Sequence, residues 1–207
     1  MNIAVIAANG RSGKAFVEAA LDAGHSIRAG IRGESRLKKY TNLTEVQCDA
    51  TNNEQLRNLL KDTDAVASFI GHVKGSDPDV QTIAIQKTVD IMEELKIKRI
   101  VSLTGTGVRF EGDKITLTDR VLNLSIGMID PERIKDGKDH VGVLKNSDLD
   151  WTVIRVLKLQ NTELKSFSLT ENGPTKAYVS RQEVARAVLK VLEENSFVRK
   201  APIISKY

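Results

Sequence analysis

The feature that most limits how this chain can fold is the alternation of two periodicities. Short apolar runs lie at residues 3–7, 27–31, 45–48, 65–70, 100–103 and 151–156. Several are apolar at consecutive positions, as strands covered on both faces must be. Helical spacing fills the intervals. Residues 14–23 put Phe16, Val17, Ala20 and Leu21 on one side and stop at Gly24, a natural C-terminal cap. Residues 53–60 and 80–95 read likewise. Strands alternating with helices imply right-handed βαβ units. The expected class is α/β, a Rossmann-type doubly wound and mainly parallel sheet with helices on both faces.

With 207 residues, the chain is long enough for one domain with a sizeable core, expected over 1–207. The segment 105–139 is the least regular. Gly105, Gly107, Gly112, Gly127, Pro131 and Gly137 interrupt it, and it follows the fifth strand. A long insertion is expected there, either shaping the substrate side together with the C-terminal part or forming a surface excursion. The single Cys48 excludes a disulfide framework, and three dispersed histidines offer no metal-ligand spacing. No metal is expected. The net charge of +4 suits an anionic ligand. The basic residues are spread out and aromatics for base stacking are few, so no nucleic acid is expected. Met1 leads straight into a strand pattern, and no apolar run reaches the ~20 residues of a membrane span. A cytoplasmic protein with no membrane contact is the expectation.

The stretch "IAVIAANGRSGKA", residues 3–15, allows two nucleotide-binding designs. A phosphate loop, G-x-x-x-x-G-K-[ST], needs Gly where Ala8 stands and Ser or Thr where Ala15 stands, so it fails. A dinucleotide-binding turn needs a strand, a glycine-rich turn and a helix start, and the context is right. Gly10 would let backbone approach a pyrophosphate, Gly13 would let the helix pack on the strand, and Asn9 would tolerate a left-handed backbone. Arg11 and Ser12 fill the turn. Ala7 occupies the first glycine position. The second strand ends in "IRAGIRGESRLKK", residues 27–39. Arg32 and Arg36 stand where an acidic residue would select NAD, and two planar cations suit a 2′-phosphate. NADP(H) is therefore expected in preference to NAD(H).

These stretches, taken in order, resemble the NAD(P)H-binding group of atypical short-chain dehydrogenases/reductases, similar to biliverdin reductase B (flavin reductase) and NmrA-like proteins. The resemblance covers nearly the whole chain. "QCDATN" is similar to the group's third-strand end, which implies that Asp49 and Ala50 contact the adenine side. "DAVASFIGH" is similar to its fourth strand and implies that Ile70, Gly71 and His72 border the cofactor. "KRIVSLTGTGV" resembles the fifth strand, with Thr104 at the position of a serine that bonds substrate or nicotinamide. "LKNSDLDWTVIRV" resembles the sixth strand, after which Leu157 and Lys158 would line the nicotinamide pocket, and "YVSRQEVARAVLKVL" resembles the late helix.

The chain departs from the pattern at Ala7, at Val156 in place of a common proline, and in lacking the Tyr-x-x-x-Lys pair. Tyr40 and Tyr178 are followed at that spacing by Thr44 and Gln182. Ordinary alcohol dehydrogenase chemistry, in which lysine lowers the tyrosine pKa, is not expected. The resemblance then implies an NADPH-dependent reductase passing hydride to a small conjugated acceptor such as a quinone or flavin. Thr104, His72 and His140 are the candidate catalytic side chains, and Arg109 and Arg120 are possible contacts for an anionic acceptor. The alternative is a non-catalytic NADP(H)-sensing protein with a protein partner; a homodimer fits either reading.

Overall fold

The computed structural model describes residues 1–73 and 75–205. Among the described residues, ten strands and six helices follow in chain order. They are β1 Asn2–Ile6, α1 Arg11–Asp22, β2 Ser26–Ile31, β3 Leu43–Gln47, α2 Asn53–Leu60, β4 Ala65–Ser68, α3 Val80–Glu94 and β5 Arg99–Gly105. Then come α4 Leu117–Ile129, α5 Pro131–Lys145, β6 Asp150–Val156, β7 Lys158–Gln160, β8 Ser168–Thr170, β9 Tyr178–Ser180, α6 Arg181–Glu193 and β10 Ile203–Ser205.

Eight strands form one sheet in the order β3-β2-β1-β4-β5-β6-β10-β8, parallel except for β8; β7 and β9 pair separately. The chain builds outward from β1 through β2 to β3, then returns to lay β4 on the other side of β1. That reversal opens a crevice at the carboxyl ends of β1 and β4, where ligands of such sheets bind.

Residue alternation assigns the faces. Ile3 and Val5 of β1 join α1 residues Phe16, Val17 and Ala20 and α6 residues Val184 and Val188 in one core. Ala4 and Ile6 join Leu56 and Leu59 of α2, Met92 of α3 and Leu144 of α5 in the other. This is the doubly wound sheet that the sequence implies. Trp151 of β6 is core, 3% exposed.

The segment 105–139, which the sequence marks only as irregular, carries α4 and the start of α5. Each helix has its own start signal. Thr116 accepts a hydrogen bond from Asp119 N at 3.1 Å, and Asp130 accepts one from Arg133 N at 3.2 Å with Pro131 at the first helical position. Gly127 and Gly137, which interrupt the sequence pattern, lie within these helices, and Gly137 is a close-packing position. A Cβ on Gly137 would sit 2.8 Å from Thr104 Oγ1.

Ion pairs hold this segment together, and one of them ties it to the sheet. Asp119, fully buried on α4, accepts from Arg109, Thr175, Thr106 and Asn123. Burial opposes its ionisation, yet these donors hold the carboxyl below the usual carboxylate range. Arg155 of β6 grips Asp113 through both terminal nitrogens at 2.5 and 2.9 Å, with both side chains almost wholly buried.

Candidate functional site

The turn after β1 is shaped by its backbone. Ala7 has φ of +59°, in the left-handed region, and its carbonyl accepts from Gly10 N at 3.0 Å. The residue bearing left-handed backbone is thus Ala7, where the family pattern has glycine, and not Asn9 as the sequence suggested. Gly13 packs so tightly on the strand that a Cβ would come within 2.9 Å of Ala8 Cα and closer still to the Ala7 carbonyl. Gly10, exposed at the N-cap, brings no side chain to the helix entrance.

Helix α1 differs from its neighbours at this end. Asn52, Thr116, Asp130 and Ser180 cap α2, α4, α5 and α6 with side-chain acceptors. Helix α3 lacks a side-chain cap of its own and an acidic first-turn residue, but Asp136 of α5 accepts from its Gln81 and Thr82 amides; helix α1 has neither a side-chain cap nor an acidic residue in its first turn. Its amide groups and positive dipole end are left for an anion. Arg11 is exposed and Ser12 half-buried in that first turn.

Asn9 links this turn to the loop after β2. Its Nδ2 donates to Glu34 O at 2.7 Å and its Oδ1 accepts from Arg36 N at 2.8 Å. A turn residue and a loop residue 27 positions apart are thereby joined, which holds Arg36 beside the glycine turn. Arg32 and Arg36 are both exposed. Asp49, at the end of β3, accepts from Thr51 N and Thr51 Oγ1 at 2.9 and 2.7 Å. Those two bonds, with Arg32 nearby as a smaller contribution, hold its carboxyl below the usual range. Ala50 beside it is buried against α2.

Beyond β4, Ile70 O accepts from Gln81 Nε2 at 2.8 Å, and Gly71 faces open space apart from that amide. His72 meets Asp136 of α5 through Nε2 at 2.8 Å. Asp136 also accepts from Gln81 N, Thr82 N and Thr82 Oγ1, so one carboxylate from α5 caps the start of α3 and orients His72. Burial works against its charge, and those donors together still hold it below the usual range. A cavity of about 430 Å³ opens beside His72, lined also by Val73, Ser76, Pro78 and Arg133.

Of the other two candidate catalytic side chains, Thr104 is 6% exposed, its hydroxyl against Gly137. His140 is corrected as a proton donor to substrate. It is 3% exposed, its Nε2 is 3.0 Å from Ser102 Oγ, and its Nδ1 is buried without a partner. Burial pushes its imidazole down to about 4, so it stays neutral near pH 7. Arg109 is committed to Asp119, not to an acceptor. Arg120 stays exposed on α4.

The sequence did not single out Arg181 or Asp136. Arg181, first residue of α6, donates from Nη1 to Asn161 Oδ1 at 2.6 Å, while its Nε is buried and unpartnered. It lines, with Arg11, Lys14 and Thr162, a cavity of about 470 Å³ at the α1 entrance. Desolvation and then the charge of Arg11 lower its pKa. Nothing local in the sequence marks it. Leu157 is half-buried after β6. Parallel pairing of β7 with β9 sets Lys158 beside Tyr178, the ammonium 5.5 Å from the ring centroid. This is a lysine–tyrosine contact that helical spacing could not reveal.

A family described as NAD(P)H-binding matches residues 7–195. No curated protein matches the chain. Among solved structures, a short-chain dehydrogenase/reductase from Veillonella parvula in complex with NADP superimposes with a TM-score of 0.82 at 17% identity, covering 99% of this chain and 94% of the other. The anaerobilin reductase ChuY from Escherichia coli O157:H7 gives 0.78 at 14% identity over 100% and 97% of the two chains. A Streptococcus pneumoniae protein named as a candidate NADH-flavin reductase gives 0.77 at 22% identity over both full lengths. These likenesses establish the shared fold. With the family match running from the Ala7 turn through α6, the chain belongs to the NAD(P)H-binding family.

Proposed function

We propose that the protein is an NADPH-dependent oxidoreductase that reduces a small conjugated acceptor such as a quinone or flavin. The observation that carries this reading is the uncapped α1 entrance with Arg36 fastened beside it by Asn9. The names of the neighbours, an NADP-bound dehydrogenase/reductase and an anaerobilin reductase, support the same class.

In this reading Gly10, Arg11, Ser12 and Gly13 hold the pyrophosphate against the α1 amides, with Ala7 and Asn9 shaping the turn. Arg32 and Arg36 select the 2′-phosphate. Asp49 and Ala50 border the adenine. Ile70 and Gly71 flank the middle of the cofactor, and Thr104 and Leu157 its nicotinamide end. The bound nicotinamide supplies the hydride. What the chain itself adds is orientation and a proton. Asp136 holds His72 through Nε2, leaving Nδ1 as the atom at which a proton arrives from solvent and passes to the reduced acceptor.

The test is NADPH oxidation with a panel of quinones and flavins, NADH as control. Acceptor-dependent turnover, slowed by His72→Gln without loss of NADPH affinity, is the expected result. Tight NADPH binding with no turnover on any acceptor would replace this reading with that of an NADP(H) sensor.

A further inference from the structure

Helices α1 and α6 pack side by side on one face of the sheet and start at the same end. Arg11 is the first residue of α1 and Arg181 the first of α6. A cation there meets the positive end of its own helix dipole, the less favourable place for it. These two arginines, with Lys14 one turn further along α1, line the cavity of about 470 Å³ between the helices. Among the described residues, none of the three pairs with a carboxylate.

Arg181 is the most firmly placed of them. Its Nη1 donates to Asn161 Oδ1 at 2.6 Å, and its Nε is buried with no partner. Burial, and then the charge of Arg11, work against its guanidinium. A buried donor left unanswered costs stability. The facing wall is fixed too. Gln182 Oε1 accepts from Leu164 N at 3.0 Å and Glu183 Oε1 from Lys165 N at 3.1 Å. The first three side chains of α6 thereby fasten the strap 161–165 beside the cavity.

The charges say what the cavity takes. Of its two acids, Glu18 reaches toward Lys38 at 3.9 Å, and Glu163 stands exposed on the strap. Two guanidinium forks and an ammonium suit an oxyanion with several acceptor oxygens. Lys14, Ala15 and Glu18 extend the lining down α1, beyond the Gly10–Gly13 turn. The cavity is thus made by side chains, next to an entrance made by amides.

We propose that this cavity is a phosphate-binding site with Arg11, Lys14 and Arg181 as its ligands, separate from the amide groups of the α1 entrance. It stands whether or not those amides hold a dinucleotide. Two sources carry the same chemistry: the outer oxygens of a dinucleotide's pyrophosphate, and a phosphate on the acceptor itself.

The probe is inorganic pyrophosphate, followed at the Arg181 Nε–H resonance in proton–nitrogen correlation spectra and identified by its loss in Arg181→Lys. Saturable binding below about 10 mM is expected in the wild type and equally in Gly10→Val. Lys14→Glu, which touches neither the turn nor the strap, should weaken it at least about tenfold, and Lys14→Gln less, with thermal stability unchanged. No shift at Arg181, or an affinity indifferent to Lys14→Glu, overturns the proposal. A shift abolished by Gly10→Val places the ion on the α1 amides and overturns it too, while leaving the dinucleotide reading in place. The same Lys14→Glu variant separates the sources. NADPH and NADH weakened by a common factor assign the site to the dinucleotide's pyrophosphate. FMN weakened, with riboflavin and both dinucleotides unchanged, assigns it to a phosphate on the acceptor, and no change in any of them leaves the free ion as the ligand.

Discussion

At the β1–β2 end of the sheet edge, backbone makes the surface, whereas at the β5–β6 end side chains make it. The first region consists of a turn with Ala7 in left-handed backbone, two glycines and an uncapped helix, with one asparagine reaching across. The second consists of three buried carboxylates, Asp113, Asp119 and Asp136, each gathering donors from distant segments. The two designs suit the two tasks proposed for them. A pyrophosphate site needs free amide groups and room. A reaction site needs side chains held in fixed orientation, and charged hydrogen bonds in a dry environment hold them firmly.

The largest effect is expected where a buried pair is broken. Asp113→Ala would leave the Arg155 guanidinium charged and almost wholly buried without its carboxylate. Urea unfolding should show a loss of about 3–5 kcal/mol, with the β1–β2 end and its dinucleotide affinity the last features to change. An effect under about 1 kcal/mol would show that the second region does not depend on its ion pairs.

His140 gives that region a pH signature. Its folded pKa of about 4 lies below the ordinary 6.5 of an exposed imidazole, because burial disfavours the charged ring. The unfolded chain therefore takes up the proton first as pH falls. The contribution to stability is complete above about 6.5 and is lost progressively down to about 4, a change of about 3 kcal/mol. His140→Gln should flatten the stability profile across that window. A profile unchanged by the substitution would contradict the buried, neutral assignment.

Effects at the other end should fall on binding more than on stability. Arg32→Ala combined with Arg36→Ala should reduce the preference for NADPH over NADH by on the order of tenfold, read as the ratio of dissociation constants, with little change in melting temperature. A constant ratio would move selectivity to Arg11 and Arg181. The smallest effect is a gain. Ala7→Gly relieves a left-handed alanine and should stabilise the fold by up to about 1 kcal/mol with the turn intact.

The same division governs what could be read from sequence. Gly10 and Gly13 were legible because the need for them arises within a few residues, between a strand end and the helix it starts. Arg32 and Arg36 are proposed from their distance to that turn, and Asn9 does hold the Arg36 backbone beside it. The role of Ala7 was not legible, since an alanine does not advertise a positive φ. Asp136 was missed because its partner His72 lies 64 residues away, and nothing near either residue signals the other. Asp113 and Arg155, 42 residues apart, are hidden in the same way. The helices over 105–139 were obscured by glycines that usually mark loops. Here Gly137 is needed so that α5 can lie on Thr104. The sequence placed His140 near the reaction because it could count loops but not measure burial.

The central claim is that the turn after β1 binds a dinucleotide through its backbone. Titration of NADPH into the wild type and Gly10→Val, followed by nicotinamide fluorescence, tests it most directly. Saturable binding to the wild type and at least about a tenfold loss in the variant, with unchanged thermal stability, is the predicted result. Failure of the wild type to bind either NADPH or NADH, or equal affinity in the two proteins, would contradict it.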